Sequence, residues 1–209
     1  MSIVRGDRLA ADPQHSTRGR IIRAAQAVMA DSGNSAVSLR EITGAAGVNV
    51  AAVNYHFGSK DALIETAVRD AVGTHAAAEL AAMRSLVTAT PAATAGDLVE
   101  AWVLPLLTEG GEEPAHMGAR ISAIAATSNQ PAMARILAEE YAEFRKQFLS
   151  YLAERLPHLS FDELDARLSM ALKILLGLLP RFPLTDDLHE TGMTQRCAVA
   201  FIAGGLTAP

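Results

Sequence analysis

Residues 38–63, SLREITGAAGVNVAAVNYHFGSKDAL, carry their own start and stop signals, and these leave little freedom of fold. Ser38 and Glu41 have the Ser-x-x-Glu spacing of a capping box, in which hydroxyl and carboxylate satisfy amide donors that a helix start leaves open. Leu39, Ile42 and Ala46 then give that helix one apolar stripe. Gly47 falls where the helix must stop, since glycine adopts the left-handed turn at low cost. Asn49 is placed to cap a second short helix, Val50 to Phe57, with Val53 and Phe57 inward at i, i+4. Gly58 ends it and Ser59 caps the next. Two short helices joined by a tight glycine turn form the helix-turn-helix unit that reads DNA.

Side chains on the second helix suit that task. Val50, Ala51, Ala52 and Asn54 are small or amide-bearing, so the backbone can approach base edges. Asn54 offers the paired donor and acceptor that match adenine, and Val50 and Ala52 can pack on thymine methyls. Tyr55, His56 and Lys60 follow at the far end, where a phenol, an imidazole and an ammonium would contact phosphates and fix the register. The alternative for Tyr55 and His56 is closure of a small three-helix core.

Thr17 to about Leu63 resembles the DNA-binding domain of the tetracycline-repressor (TetR) family of bacterial transcriptional regulators, through TRGRIIRAAQAVMADSG, SLREITGAAGV and YHFGSKDAL. Many members of that family carry Tyr at the position of Asn54 and Gly at Ala51; here VNYHF stands instead. The resemblance implies a homodimer, a small-molecule effector and a palindromic double-stranded operator. The residues expected on DNA are Ser38, Arg40, Asn49, Val50, Ala51, Ala52, Asn54, Tyr55, His56 and Lys60.

A net charge of −5 over 209 residues looks wrong for a DNA binder until it is divided. Residues 1–60 carry +3 and residues 61–209 carry −8, which concentrates favourable charge on the reading head. A head of +3 binds weakly alone, because affinity scales with phosphates neutralised, and a dimer doubles the number. Half of the residues are hydrophobic, which excludes a disordered chain. The single cysteine, Cys197, rules out an intramolecular disulfide framework and suits a reducing cytoplasm. The start lacks the apolar core of a signal peptide, and the run MALKILLGLLP is too short to span a bilayer. A soluble cytoplasmic protein with no membrane partner is expected.

Periodicity predicts an all-α chain of nine helices, three in the head and six in the body. Residues 1–16 read as an arm bearing Arg5 and Arg8, either inert or touching DNA. Residues 17–60 read as the DNA-binding domain and 61–209 as a helical ligand-binding and dimerisation domain. Thr17 is expected to cap the first helix, which Gly33 ends. A long helix runs from Ser59 to about Leu86, then TATPAATAG forms a connection. Further helices are expected from Asp97 to about Thr108, from near Ala115, and from Ala132 to about Leu156, with a turn TEGGEEP after the first of these. Ser160 and Glu163 form a second capping box. The helix that follows reaches about Leu179, Pro180 and Pro183 break the chain, and a last helix spans Glu190 to Ile202, with Gly204 and Gly205 beyond.

The helix at about 162–179 is apolar on nearly every side and needs cover all round. Pairing it and the last helix, about 190–203, with their copies in a second subunit would supply that cover; a central helix within one monomer is the alternative. Trp102, Leu106, Met117, Ile121, Ile124, Phe144 and Phe148 are large side chains at helical spacing that fit either a ligand cavity or plain core. Arg120 lies in the apolar run MGARISAIAA, where a guanidinium needs a partner. Glu139 or Glu143 would serve, as would an acidic group on a ligand. The part from 130 to 180 is similar to the body of a TetR subset that includes fatty-acid and acyl-thioester sensors. His75 and His116 read as surface residues, and no spacing suggests a metal or cofactor.

Three functions therefore stand: a repressor released by a small hydrophobic effector with an acidic group as one option, a regulator controlled by a protein partner, and an all-helical enzyme. The enzyme lacks HExxH, GxSxG, a phosphate-cradling glycine loop and a cysteine with an obvious base.

Overall fold

The computed structural model describes residues 16–33, 37–107, 114–178 and 192–208. Within them the chain is all helical: α1 Thr17–Ser32, α2 Leu39–Ala46, α3 Val50–Phe57, α4 Lys60–Ala89, α5 Ala95–Leu107, α6 Pro114–Thr127, α7 Pro131–Glu140, α8 Ala142–Arg155, α9 Phe161–Leu178 and α10 Gly192–Thr207. Residues 1–15 of the arm expected at 1–16, residues 108–113 of the TEGGEEP turn, and the breaks at Pro180 and Pro183 lie outside the described residues.

Local chemistry sets the head. The Ser38 hydroxyl accepts from Glu41 N at 3.2 Å, and Ser38 N donates to Glu41 Oε2 at 2.9 Å, closing the capping box. Asn49 Oδ1 accepts from Ala52 N at 2.9 Å, and Ser59 Oγ accepts from Ala62 N at 3.1 Å. Gly47 and Gly58 take φ of +62° and +78°, conformations that a side chain would strain. At α1 the expectation is off by one residue. Ser16, not Thr17, is the cap, accepting from Gly19 N at 3.1 Å, and Thr17 is the first helical residue.

Three body helices differ from expectation. The stretch 132–156 is two helices, α7 and α8, separated at Tyr141, so ten helices stand among the described residues where nine were expected. No Pro or Gly marks the break; Tyr141 sits at φ −88° and ψ −1°, and its ring packs edge-on against Phe144. Helix α5 starts earlier than Asp97, because Thr94 and Asp97 form an unread capping box: Thr94 N donates to Asp97 Oδ2 at 2.7 Å and Asp97 N to Thr94 Oγ1 at 3.2 Å. Helix α10 continues through Gly204 and Gly205 to Thr207. At α9, Ser160 accepts from Glu163 N at 3.2 Å, while the Glu163 carboxylate pairs with Arg167 at 2.6 Å.

Helix α4 organises the packing. Its stripe Leu63, Ala67, Val68, Ala71, Val72, Ala76, Leu80 and Met83 is buried along almost the whole length. The upper half joins Ile21, Ala25, Met29, Ile42 and Val53 of the head, and the same cluster takes in Ile121, Ile124, Met133 and Ile136 from α6 and α7. The lower half joins Leu98, Trp102, Phe148, Leu152, Leu164, Leu168, Leu175 and Ile202. His75 is buried at 5 % exposure, against its expected place on the surface. The helical face of i, i+4 neighbours that carries Ala71 and Glu79 turns it inward. The side chain of His116 lies outside the described residues.

Polar ties fasten the elements around α4. Gln26 Nε2 donates to Ala67 O at 3.1 Å and Asp70 Oδ2 at 2.9 Å. Arg69 bridges to Glu139 at 2.7 Å and Glu140 at 2.5 Å on α7. Arg120 Nη2 donates to Ala30 O at 2.7 Å, a carbonyl in the last turn of α1, where the helix dipole favours a cation. Arg120 therefore joins α6 to the head, rather than pairing with Glu139 or Glu143.

Gly118 lets α6 approach α4 closely. A Cβ there would stand 2.5 Å from His75 Cβ and 3.1 Å from Ala71 O. Gly118→Ala should cost about 1–3 kcal/mol, read as a lower urea midpoint at unchanged slope. Gly44→Ala, with nothing within 4 Å, should instead stabilise by up to about 1 kcal/mol.

Candidate nucleic-acid interface and body cavity

The head exposes one face of α3. Val53 anchors the helix at 0 % exposure, and that fixes which residues point outward. Ala51, Asn54 and Tyr55 are exposed, Tyr55 at 86 %, and Val50 at 45 %. So large an exposed aromatic is outside any three-helix core. His56 is half-buried, its ring 5.0 Å from that of Tyr55 and 6.2 Å from that of Phe57. Ala52 is half-buried against the head core, so it is less open than expected. Ser38, Arg40 and Asn49 are exposed at the starts of α2 and α3.

Lys60 Nζ donates to Val37 O at 2.8 Å, tying the start of α4 to the segment before α2. An ammonium has three donors, so two remain for phosphate. The Arg18 guanidinium lies 5.2 Å over the Phe57 ring, and Arg20 and Arg23 are exposed on the same helix. This gathers cations, a phenol and an amide around a protruding short helix.

The body holds a cavity of about 280 Å³ lined by Trp102, Ser122, Leu137, Ala138, Tyr141, Phe144, Arg145, Leu168 and Leu172. An adjoining recess of about 20 Å³ adds His75, Glu79, Leu106, Ala119 and Leu175, with Trp102, Ser122, Tyr141 and Leu172 common to both. A wider groove of about 670 Å³ around Thr94, Glu154 and Arg155 is open to solvent and lacks the enclosure of a ligand site.

Of the residues expected at a ligand site, Trp102 and Phe144 line the cavity and Leu106 the recess. Phe148 stands behind them, fully buried, its ring 5.3 Å from that of Trp102. Ile121, Ile124 and Met117 belong to the head-side core instead. Arg120 is engaged with Ala30 O.

Glu79, Tyr141 and Ser122 were not foreseen. The run AAAELAAM signals Glu79, a lone carboxylate on an apolar helix, but Tyr141 depends on a break that the residues do not announce. Burial pushes the Glu79 carboxyl up to about 8, and a hydrogen bond from Trp102 opposes this only in part. Burial, with the Glu79 charge adding, also pushes the Tyr141 phenol upward. Glu79 Oε1 lies 3.5 Å from His75 Nε2, the long limit of a hydrogen bond, and Glu79 Oε2 meets no hydrogen-bond partner among the described residues. The Tyr141 hydroxyl is 3.4 Å from Ser122 Oγ, which donates to Gly118 O at 2.8 Å.

Solved structures share the arrangement. A candidate transcriptional regulator from Pseudomonas aeruginosa PAO1 superposes with a TM-score of 0.63 at 22% identity, over 94% of this chain and 91% of that one. A TetR-family member from Streptomyces coelicolor A3 gives 0.61 at 25% identity, over 91% and 98%. The multidrug binding protein EbrR, complexed with imidazole, gives 0.60 at 23% identity, over 95% and 98%. No curated protein matches the chain in sequence. No described helix is long and apolar enough to cross a membrane.

Two family models complete the comparison, that of the bacterial regulatory proteins of the tetR family over residues 21–67 and that of the tetracyclin repressor-like C-terminal domain over residues 100–205. The chain belongs to the TetR family of bacterial transcriptional regulators, with a helix-turn-helix DNA-binding head at its N-terminus and a tetracycline repressor-like C-terminal domain.

Proposed function

We propose that the protein is a homodimeric one-component repressor, released from a palindromic operator when a small molecule enters the body cavity. The single observation that carries this reading is the head-side core, which runs without interruption from α1–α3 into α6 and α7. A ligand that shifts α6 therefore acts on the same packed cluster that seats the reading helix, and on the Arg120 tie to α1. Such a ligand changes the population of DNA-competent heads only to the extent that it binds the two states unequally. EbrR, which has the same fold, binds imidazole and proflavin, and this supports a small organic ligand here.

On DNA, Val50, Ala51 and Asn54 read base edges, with Ala52 behind them. Tyr55, His56 and Lys60 hold phosphates, and Ser38, Arg40 and Asn49 flank the groove. The division at about residue 60 separates reading head from regulatory body by role, while α4 joins them physically. Selection of bound duplexes from a random pool should return a palindrome of two half-sites; recovery of no motif would defeat the reading. Asn54→Ala should relax one base position per half-site, whereas Tyr55→Phe should weaken all sequences alike. Lys60→Ala should lower the salt slope by about one.

Dimerisation through α9 and α10 is supported by Met170, Ile174 and Phe201, which are 57 %, 38 % and 68 % exposed in the single chain. Large apolar side chains grouped on two adjacent helices are what a two-fold helical interface covers. The double variant Met170→Glu, Phe201→Glu should sediment as a monomer and lose operator binding at concentrations that saturate the parent. A dimer that survives both charges would place the interface elsewhere.

A further inference from the structure

We propose that the effector is a lipophilic organic cation, whose protonated nitrogen meets the Glu79 carboxylate in the recess adjoining the cavity while its apolar body lies against Trp102, Tyr141 and Phe144. This rests on the reading of the cavity as the effector site. It departs from the acidic ligand that Arg120 suggested in the sequence.

The chemistry of the cavity points one way. A carboxylate oxygen that is buried without a donor is costly, and a ligand N–H that reaches it recovers that cost as a charge-assisted hydrogen bond. Aromatic faces around the site add attraction for a cation and none for an anion. The ring centroids of Trp102 and Phe144 are 6.1 Å apart, and those of Tyr141 and Phe144 also 6.1 Å, so they form one continuous wall. The Tyr141 and Ser122 hydroxyls supply further acceptor lone pairs.

The charged and titratable groups around the site leave this balance intact. His75, on α4 itself, faces Glu79 at 3.5 Å and competes with a ligand cation only when protonated. From α5 comes the Trp102 indole, from α6 Ser122, and from the α7–α8 break the Tyr141 phenol, all uncharged at neutral pH. Arg145 of α8 lines the outer cavity, but its guanidinium is committed to α9, to Asp165 Oδ1 at 2.5 Å and Ser169 Oγ at 2.8 Å. Leu172 and Leu175 complete the α9 side. A fatty acid or other carboxylate finds no cation there to pair with while Arg145 is held by Asp165, and it meets a like charge wherever Glu79 is ionised.

Glu79 also ties binding to protons. Since burial raises its carboxyl to about 8, the empty cavity holds it largely protonated at pH 7, and a cation must displace that proton. The same shift fixes the sign for folding. The folded-state value lies above the ordinary 4.5, so the protonated carboxyl favours the fold fully below pH 4.5, and that advantage is lost as pH rises to about 8. Glu79→Gln keeps the shape without the ionisation. Its melting temperature should therefore fall less than the parent's between pH 5 and 8.5, and at pH 8.5 it should be the more stable.

Three probes of one shape and different charge separate the outcomes: 4-phenylbutylamine, 4-phenylbutanol and 4-phenylbutyrate. Trp102, the single tryptophan of the chain, lines the cavity and reports binding by its fluorescence. The amine should bind at least about ten-fold more tightly than the alcohol, and the butyrate most weakly. Amine affinity should rise from pH 6 to pH 8.5 while that of the alcohol stays level. In Glu79→Gln the amine should fall to within about three-fold of the alcohol and lose its pH dependence, with the alcohol unchanged. An alcohol or butyrate that binds as well as the amine, or an amine preference that survives Glu79→Gln, overturns the cation while leaving the cavity as a ligand site. Failure of all three to perturb Trp102 or the melting temperature removes the effector site itself and the cation with it.

Discussion

Burial of the apolar stripe on α4 is the interaction on which the other parts of the molecule depend. Leu63 and Val68 close the head, and Leu80 and Met83 close the body, on one 30-residue helix shared by the two cores. An isolated helix of that length with several alanines has modest intrinsic stability, and tertiary packing supplies most of what it lacks. The stripe therefore does two jobs at once, seating α3 at the top and shaping the cavity wall near Glu79 lower down. Any change in helix packing at one end is felt by residues that share a core with the other.

The polar ties give this packing direction. Gln26, Arg69 and Arg120 reach between α1, α4, α6 and α7 at places where the apolar contact is already dense. Exposed ion pairs of this kind add little stability, and the Arg69 pairs are of that sort. Arg120 differs because its partner is the carbonyl end of α1, where charge and helix dipole act together. Its role is geometric: it fixes the pitch of α6 against the head.

The sequence made the head legible almost residue by residue, because caps and glycine stops are local and act through backbone groups a few positions away. Ser38–Glu41, Gly47, Asn49, Gly58 and Ser59 all behave as their spacing implies. The body was less readable for an equally physical reason. The break falls at Tyr141, whose ring packs against Phe144, and no Pro or Gly announces it. Arg120 looked like a ligand contact because a guanidinium among small apolar residues needs a partner, yet the partner was a carbonyl 90 positions away in the chain. His75 and Glu79 were readable only as polar residues on a face whose inward turn depends on α5 and α6. Aromatic residues at helical spacing named part of the cavity wall, Trp102 and Phe144, while Ile121 and Ile124 went to the neighbouring core.

The length of α4 has a mechanical consequence. Glu79 and Lys60 sit on one unbroken helix, separated by about 28 Å at 1.5 Å per residue. A rigid rod of that reach multiplies small rotations: a tilt of about 5° at the cavity carries the Lys60 end through about 2.5 Å. That is close to the roughly 3.4 Å rise of one base step, and a two-fold dimer would apply it once at each half-site in opposite senses. The proposed release would therefore need no hinge or folding transition between the cavity and the groove. In the proposed dimer, a displacement too small to disturb any buried side chain near Glu79 would become, at the far end of the rod, a misfit that two reading heads cannot both absorb.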